Sequence, residues 1–247
     1  MDVKTICTGG FMKGYIEEQT LFGHNDVIGF GDESSFVKEI TRDKANYIIK
    51  KNHYSKKFYS ASYIHLGIFI NNELLGVLQY GYAMNPASQE SVVKNTGIKE
   101  YLELNRMWLD DKAGRNSESK AISYSIKYIK RKYPAVKWIQ SFADERCGCF
   151  GIVYQAANFK YYGEHESIFW TLDDEIYHNS LMTRRPELSK SAAILQEGKD
   201  RATSGKLRQF RYIYFIDKRC EKDCLLTEKP YEKYYHATDG ELKGRFL

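Results

Sequence analysis

No stretch of this sequence stays apolar for the ~18 residues that a membrane span requires, and its opening residues, MDVKTICTGG, carry neither the basic start nor the long apolar run of a secretory leader. A membrane or secreted protein is therefore not expected, and the reading is of a protein of the cytoplasm. A cysteine framework is missing too. Five cysteines, an odd number at irregular spacing, suit a reducing compartment and argue against a disulfide scaffold. Cys147, Cys149, Cys220 and Cys224 could offer four thiolates to zinc, but their spacings are atypical of such sites and ordinary buried thiols are the simpler reading. There is no internal repeat or low-complexity tract. Glycine is sparse where a pyrophosphate loop would need it, with only Gly114 between residues 110 and 118.

What is present begins with size and charge. A chain of 247 residues can bury a substantial core, as one large domain or as one of roughly 150 residues with appendages. The net charge of +5 is not evenly spread: residues 181–247 hold 15 Lys and Arg against 10 Asp and Glu, whereas residues 1–180 hold 22 of each. A basic quarter beside a neutral remainder suits contact with a polyanion, although such runs are commonly only solvated surface. Twenty tyrosines, several beside Lys or Arg, strengthen the nucleic-acid reading, because aromatic faces stack on exposed bases while cations hold phosphates. Packing within strands is the plainer use for most of them.

Along the chain, residues 1–35 read as a loosely organised or strand-bearing lead-in. Residues 36–51 suit a helix through Ile40, Tyr47 and Ile48, with Thr41 or Asp43 as its cap, and residues 52–59 a connecting loop. Apolar runs at 66–71 and 74–82 flank Asn71–Asn72–Glu73, a hairpin signature. Residues 102–109 predict a further strand. From Ser119 onward Ile122, Ile126, Ile129 and Tyr133 recur at helical spacing, with Lys120, Lys127 and Arg131 opposite, until Pro134 stops the helix. A strand at 136–142 and a helix at 151–159 follow. The expected fold is thus α/β or α+β, a mixed central sheet flanked by helices over residues 36–180. The remainder, 181–247, reads as a basic extension, mostly loop over 183–206, with one strand near 210–216.

The segment between the strand at 102–109 and the next helix is the most suggestive of chemistry. A helix start offers unpaired N–H groups and a positive dipole end, so an anionic donor can dock there. Arg106 fits either an anion holder or a structural ion pair. Ser119 fits a helix cap or, beside Arg115 and Asn116, a donor contact. Asp144, at a strand end, and Tyr154, ten residues on, fit a base and an acid, or a turn carboxylate and a core ring. Lys50, Lys51, Lys56 and Lys57 surround His53 and Tyr54 and would meet phosphates if that loop borders a pocket.

Asn52–His53–Tyr54–Ser55, Glu103–Leu104–Asn105–Arg106–Met107–Trp108, Arg115–Asn116–Ser117–Glu118–Ser119, Ala143–Asp144 and Tyr154–Gln155–Ala156–Ala157–Asn158–Phe159 occur in an order and separation that resemble the Mom family of phage DNA-modification proteins. The similarity runs over residues 50–177, with a weaker echo at 210–231. It implies a fold related to the GNAT acyltransferases and conversion of adenine in double-stranded DNA to N6-carbamoylmethyladenine, which hides phage DNA from restriction. It further implies a base flipped out of the duplex, and a donor that is either acetyl-CoA or a glycine-derived group. Carried over motif to motif, the functional positions are His53, Tyr54, Arg106, Ser119, Asp144 and Tyr154. His53, Tyr54, Asp144 and Tyr154 together would also make a nitrogen and oxygen ligand set for iron. Two rivals predict different behaviour. An ordinary acetyl-CoA-dependent N-acetyltransferase would act without DNA, and a noncatalytic DNA-binding, anti-restriction protein would leave every base unchanged.

Overall fold

The computed structural model describes residues 13–21, 23–145 and 150–231. Two compact units divide the chain: the first takes residues up to Ser141 with 153–160 and 213–227, and the second takes 142–152, 161–212 and the residues from 228 on.

The first unit opens with three antiparallel strands, β1 (Gly14–Gln19), β2 (Asn25–Gly31) and β3 (Ser35–Glu39). β3 takes the first part of the segment expected to be helical. Period-two burial wins there: Val37 is fully buried, and Phe36 stacks on Phe69 of the next strand at 4.9 Å between ring centroids. The helix, α1 (Arg42–Asn52), starts only after Thr41, whose Oγ1 accepts the Lys44 N–H at 3.4 Å, as one of the two expected caps. Ala45 and Ile49 of α1 bury themselves against Val77, with Ile40, Ile48 and Trp108 around them.

β4 (Ser62–Ile70) and β5 (Glu73–Gly81) form the expected hairpin, and both turn residues take left-handed φ, 49° at Asn71 and 65° at Asn72. That is the two-residue turn whose twist matches the strands, and asparagine tolerates it. Replacing Asn72 by Val should therefore cost about 1–2 kcal/mol, from the left-handed penalty on a side chain with no compensating hydrogen bond, measured as a lower urea midpoint at unchanged slope.

β6 (Tyr101–Leu109) pairs antiparallel with β5, and α2 (Ser117–Lys132) leads to β7 (Trp138–Asp144), which runs parallel to β6. The sheet order in this unit is β1-β2-β3-β4-β5-β6-β7, antiparallel up to its one parallel step. α2 buries Ile122, Ile126 and Ile129 as its spacing predicts, and Tyr124 and Tyr128 besides. Those two phenols tie the helix to the early strands, Tyr124 donating to Asp32 at 2.5 Å and Tyr128 to Glu39. Burial raises the Asp32 carboxyl, but hydrogen bonds from Tyr124, Ser34, Lys120 and the Ser35 N–H together outweigh it and hold the group well below the usual carboxylate range.

After α3 (Ile152–Ala156), the second unit contains β8 (Lys160–Leu172) and β9 (Glu175–His178), a hairpin turning on Asp173 and Asp174, both at left-handed φ. α4 (Lys190–Glu197) and β10 (Thr203–Phe215) follow, with β10 beside β8. α4 corrects the expectation of loop over 183–206. Ser189 caps it through the Ala192 N–H, and Ala192 and Leu195, three residues apart on one face, are fully buried beside Leu172 and Tyr177. So short an apolar stripe among polar residues is easily read as loop. Cys147, Cys149 and residues 232–247 lie outside the described residues. No helix among the described residues is long and apolar enough to cross a membrane.

Candidate active site

In the first unit one face of the sheet is lined with polar side chains where an apolar floor would be ordinary. Residues opposite each other across a ladder share a face, so the register His65–Gln79–Arg106 puts an imidazole, an amide and a guanidinium in one row beneath α1. Gln79 is completely buried, and its Nε2 lies 2.9 Å from Asn46 Oδ1 of α1 and 3.1 Å from His65 Nδ1. Burial, and then the charge of Arg42, lowers the pKa of His65 and favours its neutral form.

A second row runs Ser62–Gly81–Glu103–Gln140. Between the rows Asn105 is an extra residue, because Gln79 pairs with Arg106 while Tyr80 pairs with Leu104. This β-bulge is what puts Glu103 and Arg106, three residues apart, on the same face. Asn105 Nδ2 donates to Glu103 at 3.0 Å and to the Tyr82 carbonyl at 3.1 Å, Ser62 Oγ donates to Asn105 Oδ1 at 2.9 Å, and Gln140 Nε2 donates to Glu103 at 2.9 Å. Gly81 permits this closeness, since a Cβ there would fall 2.2 Å from the Ala61 carbonyl oxygen. Two amide oxygens, Gln79 Oε1 and Gln140 Oε1, are buried with no hydrogen-bond partner among the described residues. Orphan acceptors of this kind are rare and costly in folded proteins, which marks the face as built for something other than packing.

The loop after α1 is fastened to this floor. His53 caps α1, is buried, and receives the Ser55 N–H on Nδ1 at 3.1 Å. A ring nitrogen that accepts an N–H carries a lone pair, so in the neutral ring the proton sits on Nε2. Ser55 Oγ continues the chain to the Lys57 carbonyl, which accepts Arg106 Nε at 3.0 Å, and the guanidinium also donates to the Asn105 carbonyl at 2.6 Å. Arg106 and His53 are thus joined through the backbone of residues 55–57. Tyr54 follows with its ring 4.2 Å from the imidazole, about half exposed. Lys50, Lys51 and Lys56 are exposed around it, Lys50 lying over the Phe58 ring at 5.0 Å, while Lys57 is half-buried.

The parallel ladder pairs Tyr101–Leu104 with Trp138–Ser141, and β6 continues to Leu109. The chain then turns through Asp110, which accepts the Lys112 N–H, and Gly114 at φ 75°, into the start of α2. Asn116 precedes that helix in the left-handed region and no side chain caps its N–H groups. α2 begins two residues before Ser119, which corrects the capping alternative: Ser119 lies within the first turn and donates to the Asn116 carbonyl at 3.1 Å. Arg115 and Asn116 are exposed. Helix starts of this kind offer backbone N–H groups to an anion.

Tyr154 is half-buried on α3 in the same unit, 5.7 Å from the Phe159 ring, and close enough to the Tyr80 phenol to help raise it, after burial. Asp144, the last residue of β7, is buried and belongs to the second unit. Its neighbour Glu145 takes three bonds from Arg208, from the backbone N–H at 2.9 Å and from Nε and a terminal nitrogen at 3.1 and 3.0 Å. Glu145 is thereby committed to structure. Among the described residues no three His, Cys, Asp or Glu side chains gather as a metal-ligand group, a test that leaves aside a set including two tyrosines.

The sequence motifs named His53, Tyr54, Arg106 and Ser119 but not the floor around them. Its signal was there to find: Gln79 and Gln140 each interrupt a strand of otherwise apolar character, LLGVLQYG and WIQSFAD.

A helix start whose N-cap side chain makes no capping bond, together with a polar face holding Arg106, suits a group-transfer enzyme on an α+β sheet. Comparison with known proteins narrows it. The chain belongs to the Mom protein family, whose model matches residues 34–233. It is 47% identical over 210 residues to the methylcarbamoylase Mom of Escherichia phage Mu, covering 84% of this chain and 87% of that one. Among solved structures it is similar to a ribosomal-protein-alanine acetyltransferase from Vibrio fischeri (TM-score 0.45, 12% identity, 77% of this chain and 98% of that). It is also similar to an acetyl transferase from Salmonella typhimurium (TM-score 0.43, 12% identity, 74% and 96%). The strand order defines the fold independently of these distant likenesses.

Proposed function

We propose that this protein transfers a carbamoylmethyl group to N6 of adenine in double-stranded DNA, within the cytoplasm of a bacterial host, protecting phage DNA from restriction. The observation that carries the reading is the 47% identity to a methylcarbamoylase over most of both chains. In this reading the start of α2, with Arg115, Asn116 and Ser119, takes an anionic donor, and Arg106 orients it. The donor is acetyl-CoA or a glycine-derived group. A base flipped out of the duplex brings its amino group to the polar face. That amine is a weak nucleophile because its lone pair is delocalised into the ring, so it needs an acceptor for its proton; Asp144 is the assigned base and Tyr154 the assigned acid.

Iron fits the residue types, an imidazole, two phenols and a carboxylate from His53, Tyr54, Tyr154 and Asp144. With Nδ1 of His53 turned to the Ser55 N–H, Nε2 is the atom that would ligate. Bound there, iron would supply Lewis-acid or redox chemistry.

The test is mass spectrometry of nucleosides digested from DNA of cells expressing the protein. A deoxyadenosine heavier by a carbamoylmethyl group is expected; only unmodified nucleosides from cells rich in folded protein would remove the enzymatic reading and favour a DNA-binding role. Lys50, Lys51, Lys56 and Lys57 are assigned to DNA phosphates. Changing Lys51 and Lys56 to Ala should flatten the slope of log affinity against log salt by about 0.9 for each phosphate that is no longer neutralised. An unchanged slope in titrations at several salt concentrations would take them off the DNA surface.

A further inference from the structure

We propose that the outer face of α1 carries the sugar–phosphate backbone of the duplex, with Lys44 and Tyr47 as contacts alongside Lys51. The inference rests on the DNA reading above and deepens it. The lysines already assigned lie in the last turn of α1 and the loop beyond, whereas these two residues extend the contact back along the helix to its first turn.

Residues 42–57 carry six cations, Arg42, Lys44, Lys50, Lys51, Lys56 and Lys57, against one acid, Asp43. Among the described residues Lys44, Lys50, Lys51 and Lys56 make no ion pair, whereas on α2 Lys120 is matched by Asp32 at 3.1 Å and Lys132 by Asp26 and Glu39. Lys50 and Lys51 have an internal use, since they complement the negative end of the helix dipole. Lys44 has none. It stands in the first turn, at the positive end, where a cation costs stability, and its charge there suits an anion outside the protein.

Tyr47 is a second, independent sign. The sequence pattern groups it with Ile48, yet it is 64% exposed, while Ala45 and Ile49 form the buried stripe against Val77. Lys44, Tyr47 and Lys51 follow one another at intervals of three and four residues, so they share one face over about 10 Å of helix. A DNA strand presents a phosphate about every 3.4 Å, which is about three over that length. A ring between two cations suits such a strand, its body resting on a sugar and its phenol donating to a phosphate oxygen. An anionic membrane would ask for an apolar stripe, and among the described residues of α1 Tyr47 is the one large apolar side chain that is exposed. The face is also held still. Asn46 Oδ1 accepts Gln79 Nε2 at 2.9 Å, and His53 caps the helix, so a strand lying on α1 is set in register with the loop that carries His53 and Tyr54.

The experiment measures, in the absence of any donor, the affinity of the protein for a short labelled duplex by fluorescence anisotropy at several salt concentrations, beside a thermal melt. Lys44→Ala should weaken binding roughly twofold to tenfold and flatten the slope of log affinity against log salt by about 0.9, with a melting temperature equal to or above that of wild type. Tyr47→Ala should weaken binding by a similar factor and leave the slope unchanged, because the phenol carries no charge. Lys130→Ala, which removes an exposed lysine of α2, should change neither affinity nor slope. Wild-type affinity in folded Lys44→Ala overturns the inference, and so does wild-type affinity in folded Tyr47→Ala, since lysines without the ring would attract any polyanion. Equal losses in Lys44→Ala and Lys130→Ala overturn it as well, by making net charge the cause. A wild type that binds no duplex removes the inference and the DNA reading together. A wild type that binds through α1 but modifies no adenine in cells upholds the inference and removes the enzymatic reading alone.

Discussion

Asp144→Asn and Tyr154→Phe should each leave DNA modification at least about 100-fold below wild type while the protein stays folded and bound to DNA. Each substitution nearly preserves volume, so packing is spared, and each deletes one proton-transfer group, whose usual contribution is about 10²- to 10⁴-fold. The measurement is the yield of modified deoxyadenosine against time, beside a thermal melt and a DNA titration. The same proteins decide the metal reading. Iron content that falls in Asp144→Asn, Tyr154→Phe and His53→Ala alike marks the three as ligands. Activity persisting in wild type stripped of iron would remove the metal and keep Asp144 as a base. Full activity in Asp144→Asn would withdraw that residue from both roles.

Arg106→Lys should be nearly as damaging, although it conserves charge. The guanidinium reaches the Lys57 carbonyl through Nε and the Asn105 carbonyl through a terminal nitrogen, and a lysine ammonium cannot span both. Losing either bond frees a carbonyl in a half-buried place, and the loop that carries His53 and Tyr54 loses its attachment to β6. Modification is expected to fall roughly tenfold to 100-fold, in keeping with the misplacement of a site by about an ångström. Amide hydrogen exchange across residues 53–59 should quicken in the variant and stay as in wild type across β4 and β5. Exchange unchanged over 53–59 would mean that Arg106 serves a ligand and not the loop.

Period and punctuation in the sequence were enough for the central hairpin, β6, α2 and β7, because Asn71–Asn72, the Ile122–Ile126–Ile129 stripe and Pro134 are local signals with local causes. The split of residues 36–51 into strand and helix was not legible in the same way. Phe36 and Val37 obey the partners they meet, Phe69 across the ladder above all, and those lie more than thirty positions away. α4 escaped for the opposite reason, a real but two-residue apolar signal, Ala192 and Leu195, within a polar stretch. At the candidate site, the ordered short motifs singled out His53, Tyr54, Arg106 and Ser119. The chain Ser62–Asn105–Glu103–Gln140 could not be read ahead, since its members lie on three strands and meet only once the register is set.

The extra residue in β6 has a meaning for genetics as well as geometry. A strand of strict alternation could offer Glu103 or Arg106 to the face beneath α1, never both, and the unpaired Asn105 is what lifts that restriction. A library of single-codon deletions through this strand would therefore divide sharply by position. Loss of Asn105 would remove the extra residue and leave Glu103 and Arg106 on one face by plain alternation, without the amide that holds Glu103, whereas loss of Met107 would hand Trp108 and Leu109 to the opposite face and loss of a codon in the loop at residues 110–116 would merely shorten a link. Deletion is thus a harsher probe of this strand than any substitution, because it rewrites several residues through the removal of one.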